Sequence, residues 1–194
     1  MSPRSNLNKQ TVVQAAADLI NAKGLEALSL GRLAKELGIR TPSLYNHVDG
    51  LPGLLRELSI LNARNLADRI SEAAIGQGGP EAIKAIMQAM RAYIKESPGL
   101  YLSTVRASGT QAEVDPLLEQ EEARSVKVGM TVMASFGLEG EEAIHAIRGL
   151  RSLAHGFATL EISGGFGMPL ELDESFSRLV DIFIAGLERQ KLNG

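Results

Sequence analysis

This 194-residue chain predicts an all-α fold of about nine helices. Apolar residues recur at helical spacing almost throughout, runs of alternating β-branched residues are absent, and capping residues, glycines and prolines mark the ends of segments. The first helix, capped by Asn8, places Val12, Ala16, Leu19 and Ile20 on one face and stops at Lys23-Gly24. The second starts from Ser29, another good cap, and aligns Leu30, Leu33, Ala34 and Leu37 before Gly38. Thr41-Pro42 repeats the start signal, with Thr41 as cap and a proline at the first helical position, where its missing N–H costs no bond. A third helix of one to two turns follows.

A fourth helix is expected from Asp49 or Gly50 to Ile75, with Pro52 tolerated in its first turn, and Gly76-Gln77-Gly78-Gly79-Pro80 breaks the chain after it. Glu81 to Glu96 carries Ile83, Ile86, Met87, Met90 and Ile94 on one side and ends at Ser97-Pro98-Gly99. A short helix from Leu100 to Ser108 comes next, then a long one opened by Asp115-Pro116, acidic at first and apolar from Val128 to Phe136. The last two run from Glu141 to Ile162 and from Asp173 to Lys191, joined by a loop over Ser163-Gly164-Gly165-Phe166-Gly167-Met168-Pro169.

Composition narrows the function. With 44% hydrophobic and 22% charged residues and a mean hydropathy of +0.01, the chain lies in the ordinary globular range. The absence of cysteine removes disulfides, thiolate nucleophiles and cysteine-bearing zinc or iron–sulfur sites. The longest charge-free stretch, Val128 to Leu138, has 11 residues, short of the roughly 20 that span a bilayer. The first ten residues lack the apolar core of a secretory signal, so a soluble, cytoplasmic protein is expected. The net charge of −3 hides a split: residues 1–65 carry eight basic and five acidic side chains, or +3, and the remainder carries −6. That asymmetry suits a basic end that meets a polyanion.

Leu37-Gly38-Ile39 joins the second and third helices, with the small Ala34 four residues before the glycine and Leu44 six after it. This is helix-turn-helix spacing: Ala34 permits close crossing, Gly38 accepts the turn, and Leu33, Leu37, Ile39 and Leu44 lock the pair. Spacing alone fits any two packed helices equally well. The segment Gly38-Ile39-Arg40-Thr41-Pro42-Ser43-Leu44-Tyr45-Asn46-His47-Val48, however, closely resembles the recognition segment of the tetracycline-repressor family of bacterial transcription regulators, and Leu-Tyr-x-His-Val is its most specific part. The similarity extends from about Lys9 to Leu55, and chain length and helix number fit as well. The resemblance implies a homodimer in which residues 1–50 bind an operator half-site on double-stranded DNA, and residues 51–194 bind a small-molecule effector and the partner subunit. No cofactor, metal or membrane is implied.

Arg40, Thr41, Pro42 and Ser43 at the start of a short helix suit end-on entry into the major groove, with Arg40 reading a guanine and the proline ring meeting a thymine methyl. By the resemblance, Tyr45 and His47 contact phosphates, with Tyr45 in reach of a base. Asn46 either reads an adenine or faces solvent. The competing reading for Tyr45 is core packing, although Leu44 already fills the inward position; for His47 it is a helix-terminal cap. Ser29, Lys9, Thr11 and an N-terminal arm with Arg4 are positioning groups for phosphate or minor groove. Where the family carries lysine, three positions after the Val48 site, this chain has Leu51, which leaves phosphate binding there to the Gly50 and Leu51 amides. A shallower salt dependence is the expected consequence.

Five of the six methionines lie in residues 81–194. Met87, Met90, Met130 and Met133, with Tyr93, Tyr101, Phe136 and Phe157 nearby in helix placement, fit either plain core or an adaptable apolar ligand cavity, and the resemblance favours the cavity. Leu150 to Phe157 and the Gly-Gly-Phe-Gly loop resemble a C-terminal subclass of the family named for Trp, His and Gly; His155 and Gly156 match, and Arg151 stands where the tryptophan would be. His155 is a pocket group or a hydrogen-bonded core histidine, and Phe166 is a further ligand candidate. Phe176, Leu179, Val180, Phe183, Ile184 and Leu187 form a wide apolar stripe, as do Ile144, Ile147, Leu150 and Ala154 before them, and the surplus points to an intersubunit four-helix bundle. The rival reading is a helical enzyme or binding protein for a small apolar ligand, using His155 with Glu161 or Arg151. A nucleophile beside a base and a His-Glu-x-x-His spacing are both absent from the sequence.

Overall fold

The computed structural model describes residues 7–107 and 115–193. Among these, nine α-helices and one short 3-10 turn occur and no strand. The helices are α1 (Lys9–Lys23), α2 (Leu30–Glu36), α3 (Thr41–Leu44), α4 (Gly50–Ala74), α5 (Gly79–Glu96), α6 (Pro98–Ala107), α7 (Pro116–Ala134), α8 (Gly140–Ile162) and α9 (Leu172–Asn193). Their caps are largely those the sequence announces. Asn8 accepts the Thr11 N–H at 2.9 Å, Ser29 accepts the Arg32 N–H at 3.2 Å, and Asp115 accepts the Leu117 N–H at 2.9 Å.

Most boundaries fall within two residues of expectation, and three helix starts differ for a chemical reason. Thr41 is not the cap of α3 but its first residue; Arg40 occupies the cap position, and its carbonyl accepts the Ser43 N–H at 2.9 Å. The helix α5 begins inside the glycine-rich breaker, at Gly79, because Pro80 falls in the first turn, where a missing N–H removes no bond. For the same reason α6 starts at Pro98, directly after Ser97. Ser108, expected to end that helix, and Arg4 of the N-terminal arm lie outside the described residues.

The chain forms two compact units, Met1–Ala63 with Ser97–Leu118, and Arg64–Glu96 with Glu119–Gly194. In the first, Val12, Ala16 and Ile20 of α1 share a core with Leu33, Leu44, Leu54, Leu58 and Leu100. Polar ties join the same elements: Asn21 accepts the Leu100 N–H at 2.8 Å, Asn62 donates to Thr104 Oγ1 at 2.8 Å, and Arg56 pairs with Asp115. Burial would raise the Asp115 carboxyl, but the Arg56 guanidinium and the Leu118 and Leu117 amides outweigh it and hold the group below the usual carboxylate range. In the second unit, Ile83, Met87 and Met90 of α5 pack with Met133, Phe136, Leu150, Phe157, Phe176 and Val180. That core contains the inward stripes expected of the last two helices; Ile144 and Ile182 stay exposed.

Candidate nucleic-acid interface

The turn between α2 and α3 is built by backbone chemistry. Leu37 closes α2, and Gly38 follows at φ +66°, the left-handed region that a side chain disfavours. The Gly38 N–H donates to Lys35 O at 3.2 Å and the Ile39 N–H to Ala34 O at 2.9 Å, so two terminal carbonyls of α2 are satisfied in a Schellman arrangement. Beneath the turn Leu33 and Leu44 are completely enclosed, with Leu37 and Ile39 packed on the same core.

The helix α3 is a single turn and ends at Leu44. Tyr45, Asn46 and His47 therefore lie beyond it in a hydrogen-bonded turn, and the helix has the lower of the two lengths expected. The His47 N–H donates to Leu44 O at 2.9 Å, the Val48 N–H donates to the same oxygen at 3.0 Å, and buried Val48 pulls the chain inward before α4. Arg40, Pro42, Tyr45 and Asn46 are exposed, and Thr41, Ser43 and His47 are half-buried. Core packing does not account for Tyr45, which keeps 59% exposure.

Around this face, Ser29 uses its oxygen on its own helix and retains a hydroxyl proton to donate. Lys9 is engaged by Glu57 at 2.8 Å, and Arg56 reaches the same carboxylate at 2.9 Å. Of the two amides offered in place of the family lysine, Gly50 is already committed, since its N–H donates to Val48 O at 2.9 Å. An anion at the start of α4 therefore cannot rely on it.

In the second unit, Met87, Met90 and Met133 are buried in one core, Met130 is half-buried against it, and Tyr93 is buried on α5. Phe166 in the α8–α9 loop lies 4.8 Å, centroid to centroid, from Phe157 of that core, and His155 is half-buried on α8. Tyr101 is buried as well, but on α6, which belongs to the first unit. Sequence reasoning missed the charged centre of this region. Arg91 of α5 donates to Glu161 at 2.7 and 2.9 Å and pairs with Asp173 at 2.8 Å, while Lys95 reaches Glu161 at 2.5 Å. The one available signal was that Arg91 stands between Met87 and Ile94 on a stripe otherwise apolar.

The Arg91 guanidinium holds the Glu161 carboxyl below the usual glutamate range against the opposing effect of burial, with Lys95 adding to it. A carboxylate held this way is a poor proton acceptor.

Fold and site together define a helix-turn-helix protein. Residues 12–57 match the family described as "Bacterial regulatory proteins, tetR family", and residues 83–183 match "Tetracyclin repressor-like, C-terminal domain". The chain is 32% identical over 191 residues to the uncharacterized HTH-type transcriptional regulator YobS of Bacillus subtilis, covering 96% of each protein. Among solved structures, a protein of unknown function from Rhodococcus sp. RHA1 superposes with a TM-score of 0.78 at 18% identity, over 97% of both chains. A TetR variant from Acinetobacter baumannii in complex with minocycline gives 0.70 at 22% identity, over 96% of this chain and 99% of that one. The chain belongs to the tetracycline-repressor family and is a DNA-binding transcriptional regulator. Its homologues and matching domains are regulators, not enzymes. Among the described residues no helix is long and apolar enough to cross a membrane.

Proposed function

We propose that the protein is a ligand-responsive repressor that binds a pseudo-palindromic operator as a homodimer, with residues 1–50 reading DNA and residues 51–194 serving effector binding and dimerisation in the cytoplasm. The observation that carries this reading is the alternation at α3: Leu44 is enclosed while Arg40, Pro42, Tyr45 and Asn46 face outward around it. Arg40 is assigned to a guanine, Thr41, Pro42 and Ser43 to base edges and a thymine methyl, and Tyr45, Asn46, His47 and Ser29 to phosphates and neighbouring bases. One turn of helix makes few contacts. Two copies related by a two-fold axis double them, with recognition segments about 34 to 36 Å apart.

The effector is a small, largely apolar molecule taken up within the second unit beside Met87, Met90, Tyr93, Met130, Met133, His155 and Phe166; Tyr101, in the first unit, is left out of that site. Flexible methionine side chains support such a site, as does the minocycline held by a structural neighbour. His155 and Gly156 support placement in the Trp-His-Gly subclass, although Arg151 replaces its tryptophan. The helix α4 contributes residues to both units and is the natural carrier of the response. By linkage, an effector that weakens DNA binding is itself bound more weakly, by the same factor, on DNA.

The test is an electrophoretic titration of the purified protein against the DNA upstream of its own coding sequence. A sequence-dependent shift at moderate salt is expected; binding indifferent to sequence contradicts the proposal.

A further inference from the structure

The helices α8 and α9 are fixed to each other at two places. Midway, Gly149 of α8 faces Phe183 of α9, and a Cβ on that glycine would stand 2.9 Å from the ring. The aromatic edge thus rests on bare backbone. At the loop end the tie is ionic. Glu161 lies one residue before the end of α8 and Asp173 one residue after the start of α9, and Arg91 of α5 holds both. Its guanidinium sits 5.4 Å from the Phe157 ring centroid and 5.0 Å from that of Phe176, with the side chain only 5% exposed.

We propose that Arg91 is the positioning residue for dimerisation: by gripping the end of α8 and the start of α9 on one cation, it sets the register at which both helices present their outward faces to a second copy of this chain. The inference rests on the homodimer reading above. Ile144 of α8 and Ile182 of α9 are exposed in the single chain, so the outward surface draws on both helices. A self-complementary surface made of two helices requires one relative placement, because a one-residue slip turns a helical row by about 100°. Apolar side chains such as Leu150 and Val180 tolerate small slides, whereas a forked guanidinium–carboxylate bond does not. Compared with well-packed apolar groups of similar volume, a buried ion pair adds little to stability, and geometric specificity is what it can supply.

The monomer–dimer equilibrium, measured by analytical ultracentrifugation across concentration alongside helicity and unfolding midpoint, tests this. Asp173→Asn removes one tie at a side chain that is 89% exposed and leaves the core intact. Arg91→Met with Glu161→Gln removes the buried charges together. Each is expected to weaken dimerisation tenfold or more at native helicity, and Asp173→Glu to return it to within threefold of the native value. Folded variants that pair as tightly as the native chain overturn the assignment; should the double variant fail to fold, Asp173→Asn decides alone. A native chain that stays monomeric at every concentration overturns the homodimer reading itself and the role of Arg91 with it.

Discussion

Leu44 and Tyr45 are adjacent in the chain and opposite in surroundings: the leucine is wholly enclosed, and the tyrosine keeps 59% of its surface. One position serves the fold and the next serves the interface. Leu44→Ala is expected to cost about 2–5 kcal/mol of folding free energy in urea titrations, whereas Tyr45→Ala stays within about 0.5 kcal/mol. Comparable losses at both positions would contradict this division.

Arg40 caps α3 through its carbonyl alone, so its exposed side chain is free of any capping role. Arg40→Ala is therefore expected to leave helicity unchanged and to weaken specific DNA binding by about 1–3 kcal/mol, with relaxed preference at the base pair it reads. Fluorescence anisotropy on operator variants separates this from a uniform loss, which would mark Arg40 as a phosphate contact instead.

Lys9 and Arg56 both spend charge on Glu57. Glu57→Gln frees Lys9, while Arg56 keeps its Asp115 partner, and the expected result is a gain in non-specific affinity at low salt with a steeper dependence of binding on salt concentration. An unchanged salt slope would show that Lys9 does not reach DNA.

Glu161 titrates below its ordinary value of 4.5 because Arg91, then Lys95, favour its charged form over the opposing effect of burial. A depressed carboxyl contributes stability in full above the ordinary glutamate range and loses it as pH falls through the lower folded value. The native chain is thus expected to lose thermal stability more steeply than Glu161→Gln on acidification below about pH 4.5. Parallel melting curves for the two proteins over that range would refute the pairing.

Local chemistry was readable before the coordinates. Asn8 and Ser29 cap where their side chains can reach back to a free amide, Gly38 turns where only glycine is at ease, and Pro116 opens α7. The errors arose where two local signals competed. Gly79-Pro80 reads as a breaker but also satisfies the first turn of α5, and Thr41 is a good cap displaced by Arg40. The length of α3 stayed open between one turn and two because periodicity cannot show that the chain leaves the helix at Leu44 on its way to buried Val48. The Arg91 centre was hidden for another reason. Its partner Glu161 lies 70 residues away, and no period or spacing joins them.

Hydroxyl-radical footprinting of the native protein on its own upstream DNA tests the central claim most directly. The account predicts two protected patches on one face of the duplex, centred about one helical turn or about 34 to 36 Å apart, both lost in Arg40→Ala at concentrations that saturate the native protein. A single patch, or protection that Arg40→Ala retains, would contradict it.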